Sequence, residues 1–277
     1  MEDPKHEMAV LAKTSETLLG SSDPEPVEFV NSAGGADFLL VCEHAGRLIP
    51  AALGDLGLPG PEMDRHIASD IGGEGLSRKL SARLDAPLVM QRYSRLVIDC
   101  NRPLNAPDCI PEVSDGTAVP ANCRLSQAER FRRYHEIHRP FHDAIGAMLD
   151  ARQRLGRRTI LVAVHSFTPR LAGIDRPWLL GLLHNRDSRF ARRTMDAFAS
   201  NNPELVADHN QPYTVDDLSD FTIPVHGERR KLPHVLLEVR NDQISDEPGQ
   251  ERWAYLLAEA LETAARSTAG ESHLHGV

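Results

Sequence analysis

The stretch TILVAVHSFTP (159–169) decides the fold. Residues 159–164 are apolar or β-branched without interruption, the pattern of a strand buried on both faces. His165 and Ser166 follow at once, so polar chemistry sits at the strand's carboxyl end. Five further runs read the same way: DFLLVCE (37–43), APLVMQ (86–91), SRLVIDC (94–100), WLLGLL (178–183) and HVLLEV (234–239). Between them lie helical patterns. Leu76, Leu80 and Leu84 recur every four residues over 74–84. A longer helix is predicted over 126–154, opened by Ser126 with Glu129 in a capping box. Its apolar stripe is Phe131, Ile137 or Phe141, Ile145 and Met148, with a kink expected at Pro140. Further helices are expected near 188–200 and 248–266. Strands alternating with helices predict one α/β domain, with a mostly parallel central sheet flanked by helices. Residues 1–26 are polar and contain SSDPEP. The division is therefore drawn as a polar N-terminal segment over 1–30 and a domain over 31–277.

Composition narrows the function. The 277 residues carry a formal charge of −9, and no lysine-rich arm is present, which argues against nucleic acid as the partner. The arginines clustered at 129–133, 152–158 and 189–193 are interspersed with acids and read as solvated helix faces. No apolar run reaches the ~18 residues needed to cross a bilayer, and the N-terminus lacks the basic start and apolar block of a secretion signal. Cys42, Cys100, Cys109 and Cys123 include no C-x-x-C pair. A cytoplasmic protein without membrane partners is expected.

In open α/β sheets, ligands bind beyond the carboxyl ends of the strands. Those ends deliver Glu43-His44-Ala45-Gly46, then Asp99-Cys100-Asn101-Arg102, then His165-Ser166, and finally Glu238 with Arg240 two residues on. Two imidazoles and a carboxylate with an open fourth position make a common catalytic zinc set. His44 and His165 supply the imidazoles; Asp70, Glu43 or Asp99 could supply the carboxylate. His66 and Asp70 are four apart and read as a ligand pair or a helix ion pair. His138 and His142 share that spacing and read as structural. Ser166 lacks the elbow motif of a nucleophile, and the IGGEG stretch (71–75) has the wrong spacing for a dinucleotide fingerprint. SDGTAVPAN (114–122) reads equally as a connector or a flap.

Seven motifs occur in order: CEHAG, HIASDIG, YSRLVIDCNRP, SDGT-x-x-P-x-N, HSFTPRLAG-x-x-RPW, NQPY and LLEVRND. Together they resemble the N-formylglutamate amidohydrolase family over roughly 36–262. That family is similar in fold to the zinc carboxypeptidases and aspartoacylase-type deacylases, which hydrolyse an amide beside a carboxylate-bearing amino acid. The resemblance implies Zn2+ or another divalent metal at His44, Asp70 and His165. It implies a carboxylate clamp at Asn101 and Arg102, and an acid/base at Glu238. Arg95, Ser166 and Arg240 are taken as further substrate-binding residues, with Asp99 and Arg95 orienting Arg102. The carboxypeptidase His-x-x-Glu motif is absent, since Arg47 stands third after His44; Asp70 is taken as the carboxylate instead. The implied substrate is a small N-acyl amino acid such as N-formylglutamate. The alternatives are a non-catalytic carboxylate binder of the same fold and a carboxypeptidase-like peptidase.

Overall fold

The computed structural model describes residues 17–272. Seven strands form the main sheet. They are β1 (Val27–Val30), β2 (Phe38–Cys42), β3 (Leu88–Gln91), β6 (Ile160–Phe167), β9 (Leu180–Leu183), β10 (Ala207–His209) and β11 (His234–Arg240), in the order β1-β3-β2-β6-β11-β9-β10. The central four, β3, β2, β6 and β11, are parallel. β1 closes one edge antiparallel to β3, and β9 runs antiparallel to β11. Two short hairpins lie outside the sheet: β4 (Val113–Ser114) with β5 (Thr117–Ala118), and β7 (Arg170–Leu171) with β8 (Ile174–Asp175).

The unbroken apolar runs are explained by burial on both faces. Phe38, Leu40 and Cys42 of β2, with Ile160, Val162 and Val164 of β6, pack under helices α1 (Gly73–Leu84), α4 (Arg189–Asn201) and α5 (Glu247–Ser272). The alternate residues Leu39, Val41, Leu161 and Ala163 point the other way, as a period of two requires. There they meet Ile137, Phe141, Ile145 and Leu149 of the long helical segment and the excursion between β3 and β6. That segment starts at Ser126 with the predicted capping box, runs as α2 (Gln127–Arg133), loosens into a π-turn over Tyr134–His138, and continues as α3 (Arg139–Arg154). The loosened turn stands immediately before Pro140, whose missing N–H cannot complete a regular ladder.

Several expectations are corrected. The 94–100 run is buried but is not a strand: Val97 N–H bonds Ser94 O at 2.9 Å and Asp99 N–H bonds Cys109 O at 2.7 Å. The Gln91 side chain accepts from the N–H groups of Arg92 and Tyr93 and ends β3. Both positions beside β3 are already filled by β1 and β2. The main sheet also begins inside the segment taken as polar, at Val27. Two arginines from the supposed solvated clusters are buried: Arg133 bonds Val97 O and Asn122 Oδ1, and Arg152 bonds Thr159 Oγ1 and Ala36 O.

After β2 the chain turns back to β3 on one side, and it later returns to β6 on the other. The strand order therefore reverses between β2 and β6, which places a crevice at their carboxyl ends.

Candidate active site

His44 follows β2 and His165 lies near the end of β6, so the reversal of strand order brings both imidazoles to one point. Asp70 arrives from the approach to α1, tied by its backbone N–H to His44 O at 2.9 Å. Gly46 allows the close approach of chain behind them: a Cβ there would lie 2.0 Å from the Arg92 carbonyl carbon.

The geometry is convergent. His165 Nδ1 lies 3.1 Å from His44 Nδ1 and 3.0 Å from Asp70 Oδ2, and His44 Nδ1 lies 3.5 Å from Asp70 Oδ2. All three residues are buried. The outer nitrogens face carboxylates: His44 Nε2 meets Asp99 Oδ1 at 2.7 Å and His165 Nε2 meets Glu43 Oε2 at 3.1 Å. A neutral imidazole that donates from Nε2 presents a lone pair at Nδ1. Two such lone pairs and a carboxylate oxygen then aim at one another with no donor between them. That donor set fits a divalent cation, and the carboxylate–imidazole pairs are the usual outer support of such sites.

Arg95 braces this group, with Nη2 2.7 Å from Asp99 Oδ2 and Nη1 3.3 Å from Asp70 Oδ1. Burial opposes ionisation of Asp70, yet His44 and His165 hold its carboxyl well below the usual range. Burial likewise opposes ionisation of Asp99, and Arg95 and His44 overcome it.

Glu238 stands beside His165 in the β6–β11 register and lines the same cleft of about 540 Å³. One of its carboxylate oxygens is buried without a hydrogen-bond partner among the described residues. Burial lifts its carboxyl to about 8; His165 opposes the rise and the neighbouring Asp70 charge adds to it.

The other predicted residues divide. Arg102 reaches the cleft and is held by Asp108 at 2.9 Å and by the carbonyl of Ser219. Its Nη2 makes no hydrogen bond among the described residues. Asn101 also lines the cleft, but its amide is already engaged: Nδ2 donates to Asp220 at 3.0 Å, and Oδ1 accepts from Phe221 and Thr222 N–H. Ser166 Oγ donates to Ile71 O, and its N–H to Asp70 Oδ2. Arg240 pairs with Asp242 and with carbonyls of Arg176 and Pro177, and it is not on the cleft wall. His66 sits outside any helix, 3.5 Å from Asp115, and borders the cleft. Arg95 and Asp99, expected to orient Arg102, instead pair with each other and with Asp70 and His44. His138 and His142 are structural, bonding Arg102 O at 2.9 Å and Cys100 O at 2.6 Å.

The sequence reading gave one contributor another role and missed a second. Glu43 was a candidate ligand and is instead the partner of His165. Tyr213 of the NQPY motif lines the cleft, with its hydroxyl accepting from Arg176 Nη1 at 2.9 Å and its ring under the Arg176 guanidinium at 4.8 Å. Gly181 brings that loop in: a Cβ on this β9 residue would lie 1.7 Å from Gln211 O.

The model of the N-formylglutamate amidohydrolase family matches residues 36–245. The chain belongs to this family. It is therefore a hydrolase acting on amide bonds. Among solved structures it is similar to the Agrobacterium tumefaciens gene product Atu2144, at 38% identity and a TM-score of 0.88, covering 91% of this chain and 99% of that one. It shares its fold with an N-formylglutamate amidohydrolase from Ralstonia eutropha JMP134, at 19% identity and a TM-score of 0.61, covering 89% and 100%. A search of curated proteins found no match.

Proposed function

We propose that the protein is a metal-dependent amidohydrolase that hydrolyses small N-acyl amino acids, N-formyl amino acids such as N-formylglutamate among them. The observation that carries this reading is the convergence of three buried acceptors, on His44, Asp70 and His165, beside a buried carboxyl on Glu238. His44, Asp70 and His165 would hold the ion, with Zn2+ the natural choice for two imidazoles and one carboxylate. A divalent ion there acidifies water and polarises a carbonyl.

The remaining work falls to the chain. Asp99 and Glu43 hold the two imidazoles in the tautomer that keeps Nδ1 free. Arg95 neutralises Asp70 and Asp99. Glu238 takes a proton from the attacking water and returns it to the leaving nitrogen. A carboxyl raised toward neutrality by burial is suited to both transfers, and a nearby cation would lower it again. Arg102 offers a planar guanidinium to the substrate carboxylate, which lysine cannot match in geometry. Asn101 serves this clamp indirectly, by holding the Asp220 carboxylate and the Phe221–Thr222 backbone beside it.

Elemental analysis of the purified protein, with a formate-release assay on N-formyl amino acids before and after chelation, tests the proposal. A stoichiometric divalent metal and chelator-sensitive turnover are expected. A metal-free protein that binds no added zinc, or turnover indifferent to chelation, overturns it.

A further inference from the structure

The cleft does not end at Arg95. A second cavity of about 370 Å³ adjoins it, and His66, Arg95 and Tyr213 line both. Two hairpins form its outer walls. One is β4–β5, closed by Asp115-Gly116 with φ of 42° and 79°; the other is β7–β8, closed by Ala172-Gly173 with φ of 49° and 81°. Positive φ at both central residues is the two-residue hairpin geometry that matches strand twist and holds its shape. The first hairpin is anchored further by Arg65, whose Nη2 lies 2.7 Å from Asp115 Oδ2.

The lining carries three carboxylates, and each is already matched by a cation. Asp99 faces Arg95 and His44, Asp108 faces Arg102, and Asp115 faces Arg65 and His66. None is left over to recognise a charged ligand. The aliphatic side chains that remain open on its wall are Pro111, Val113, Leu171 and Ala172; Ile67 and Leu96 also line it but are buried. Val113 is 62% exposed on the wall of this hollow, so an aliphatic chain laid against it would take apolar surface out of water.

We infer that this second cavity is a substrate subsite that takes an aliphatic chain, so that the preferred substrate is an N-acyl amino acid carrying several methylenes beyond the formyl group or a short side chain. The inference rests on the amidohydrolase reading above, and it adds which amides are preferred. The doorway explains how one molecule would use both cavities. Arg95 touches Asp70 on the metal side and opens on the aliphatic hollow on the other. An amide held beside Asp70 would therefore send one substituent past Arg95. That chain is carried either on the acyl group or as the amino-acid side chain, and both sources offer the same chemistry to the walls.

The test compares kcat/KM along two series. One varies the side chain of N-formyl amino acids from alanine through norvaline to norleucine. The other varies the acyl group on one amino acid from formyl through butanoyl to hexanoyl. Wild type is set beside Val113→Asp and Leu171→Asp. Both residues lie on short hairpins outside the main sheet, so the fold should tolerate them. One series should rise roughly fourfold per added methylene, and the rising series names the source of the chain. Either variant should flatten that rise while leaving the shortest substrate unchanged. Two flat or falling series, or an equal loss on short and long substrates, overturns the inference. Calorimetric binding of the same compounds gives a readout independent of turnover. A methylene-dependent affinity lost in Val113→Asp without any hydrolysis would support the subsite and sink the proposed hydrolysis of small N-acyl amino acids instead. Affinity indifferent to chain length would sink the subsite.

Discussion

Acidification should destabilise this protein through a group of buried histidines behind the cleft. Tyr134, His138, His142 and His226 form a continuous set of ring contacts, with Phe221 packed against His138 and His142. His138 donates to Arg102 O and His142 to Cys100 O, so the stack holds the loop that carries Asp99 and Arg102. Burial depresses His138 to about 4, with Arg102 O and Asp99 opposing the shift. Burial also depresses His226 to about 4, with Arg230 and Arg229 adding to the fall and Glu43 and Asp150 opposing it. His142 is depressed by burial and by its two histidine neighbours. At His138 and His226 the unfolded chain takes up its proton near 6.5 and the folded chain only near 4, so the unfolded state binds more protons between those values; His142 contributes in the same direction. Stability is therefore present above 6.5 and is lost as the pH falls toward 4. A gap from 6.5 to about 4 amounts to roughly 3 kcal/mol for each of His138 and His226, of which about 2 kcal/mol is lost by pH 5.

The assay is urea unfolding at pH 7.5 and 5, on wild type and on His138→Phe. The phenyl ring keeps the stack and removes one titrating group. The variant loses the Arg102 hydrogen bond, about 1 kcal/mol at every pH, but its loss on acidification should be smaller by about 2 kcal/mol. The His44, Asp70 and His165 group is common to both proteins and cancels in the difference. Equal losses in the two proteins, or a His138 resonance that titrates near 6.5 by NMR, would refute the reasoning.

Glu238→Gln should retain metal and lose ~100-fold or more in kcat; full turnover would remove Glu238 from the mechanism. Asp99→Asn should weaken metal affinity 10- to 100-fold, the usual effect of removing an outer partner of a ligating histidine, and a chelator competition titration reads it directly. Arg102→Lys should lower kcat/KM for substrates with a free carboxylate more than for their amides or esters, because the charge survives but the fork does not. Equal losses would make Arg102 a structural ion-pair partner of Asp108. Gly181→Ala should displace the 210–213 loop and lower kcat/KM, since a methyl group 1.7 Å from Gln211 O cannot be accommodated without backbone movement.

The sheet was largely legible because strands buried on both faces leave continuous apolar runs, and the capping box at Ser126 and the leucines of α1 mark helices by local chemistry alone. The residues offered at the strand ends were legible too: His44, His165 and Glu238 each follow or close a predicted strand, and the structure brings them to one cleft. The run 94–100 shows where local pattern stops. Its burial was readable, but its conformation depended on whether a sheet position was free beside β3, and that is settled by how β1 and β2 pair. Partnership was equally invisible. Residue type alone leaves Asp70, Glu43 and Asp99 as candidates, and Asp70 is taken on the family resemblance; the strand order is what turns Asp70 toward Nδ1 of both imidazoles and sets Asp99 and Glu43 against their Nε2 atoms. Asn101 and Arg102 are neighbours in the chain, yet the Asp220 carboxylate and the Phe221 and Thr222 N–H groups consume one while the other keeps a nitrogen free. Residue type and periodicity set what each position can do, whereas which atoms meet is decided by contacts between segments more than a hundred residues apart.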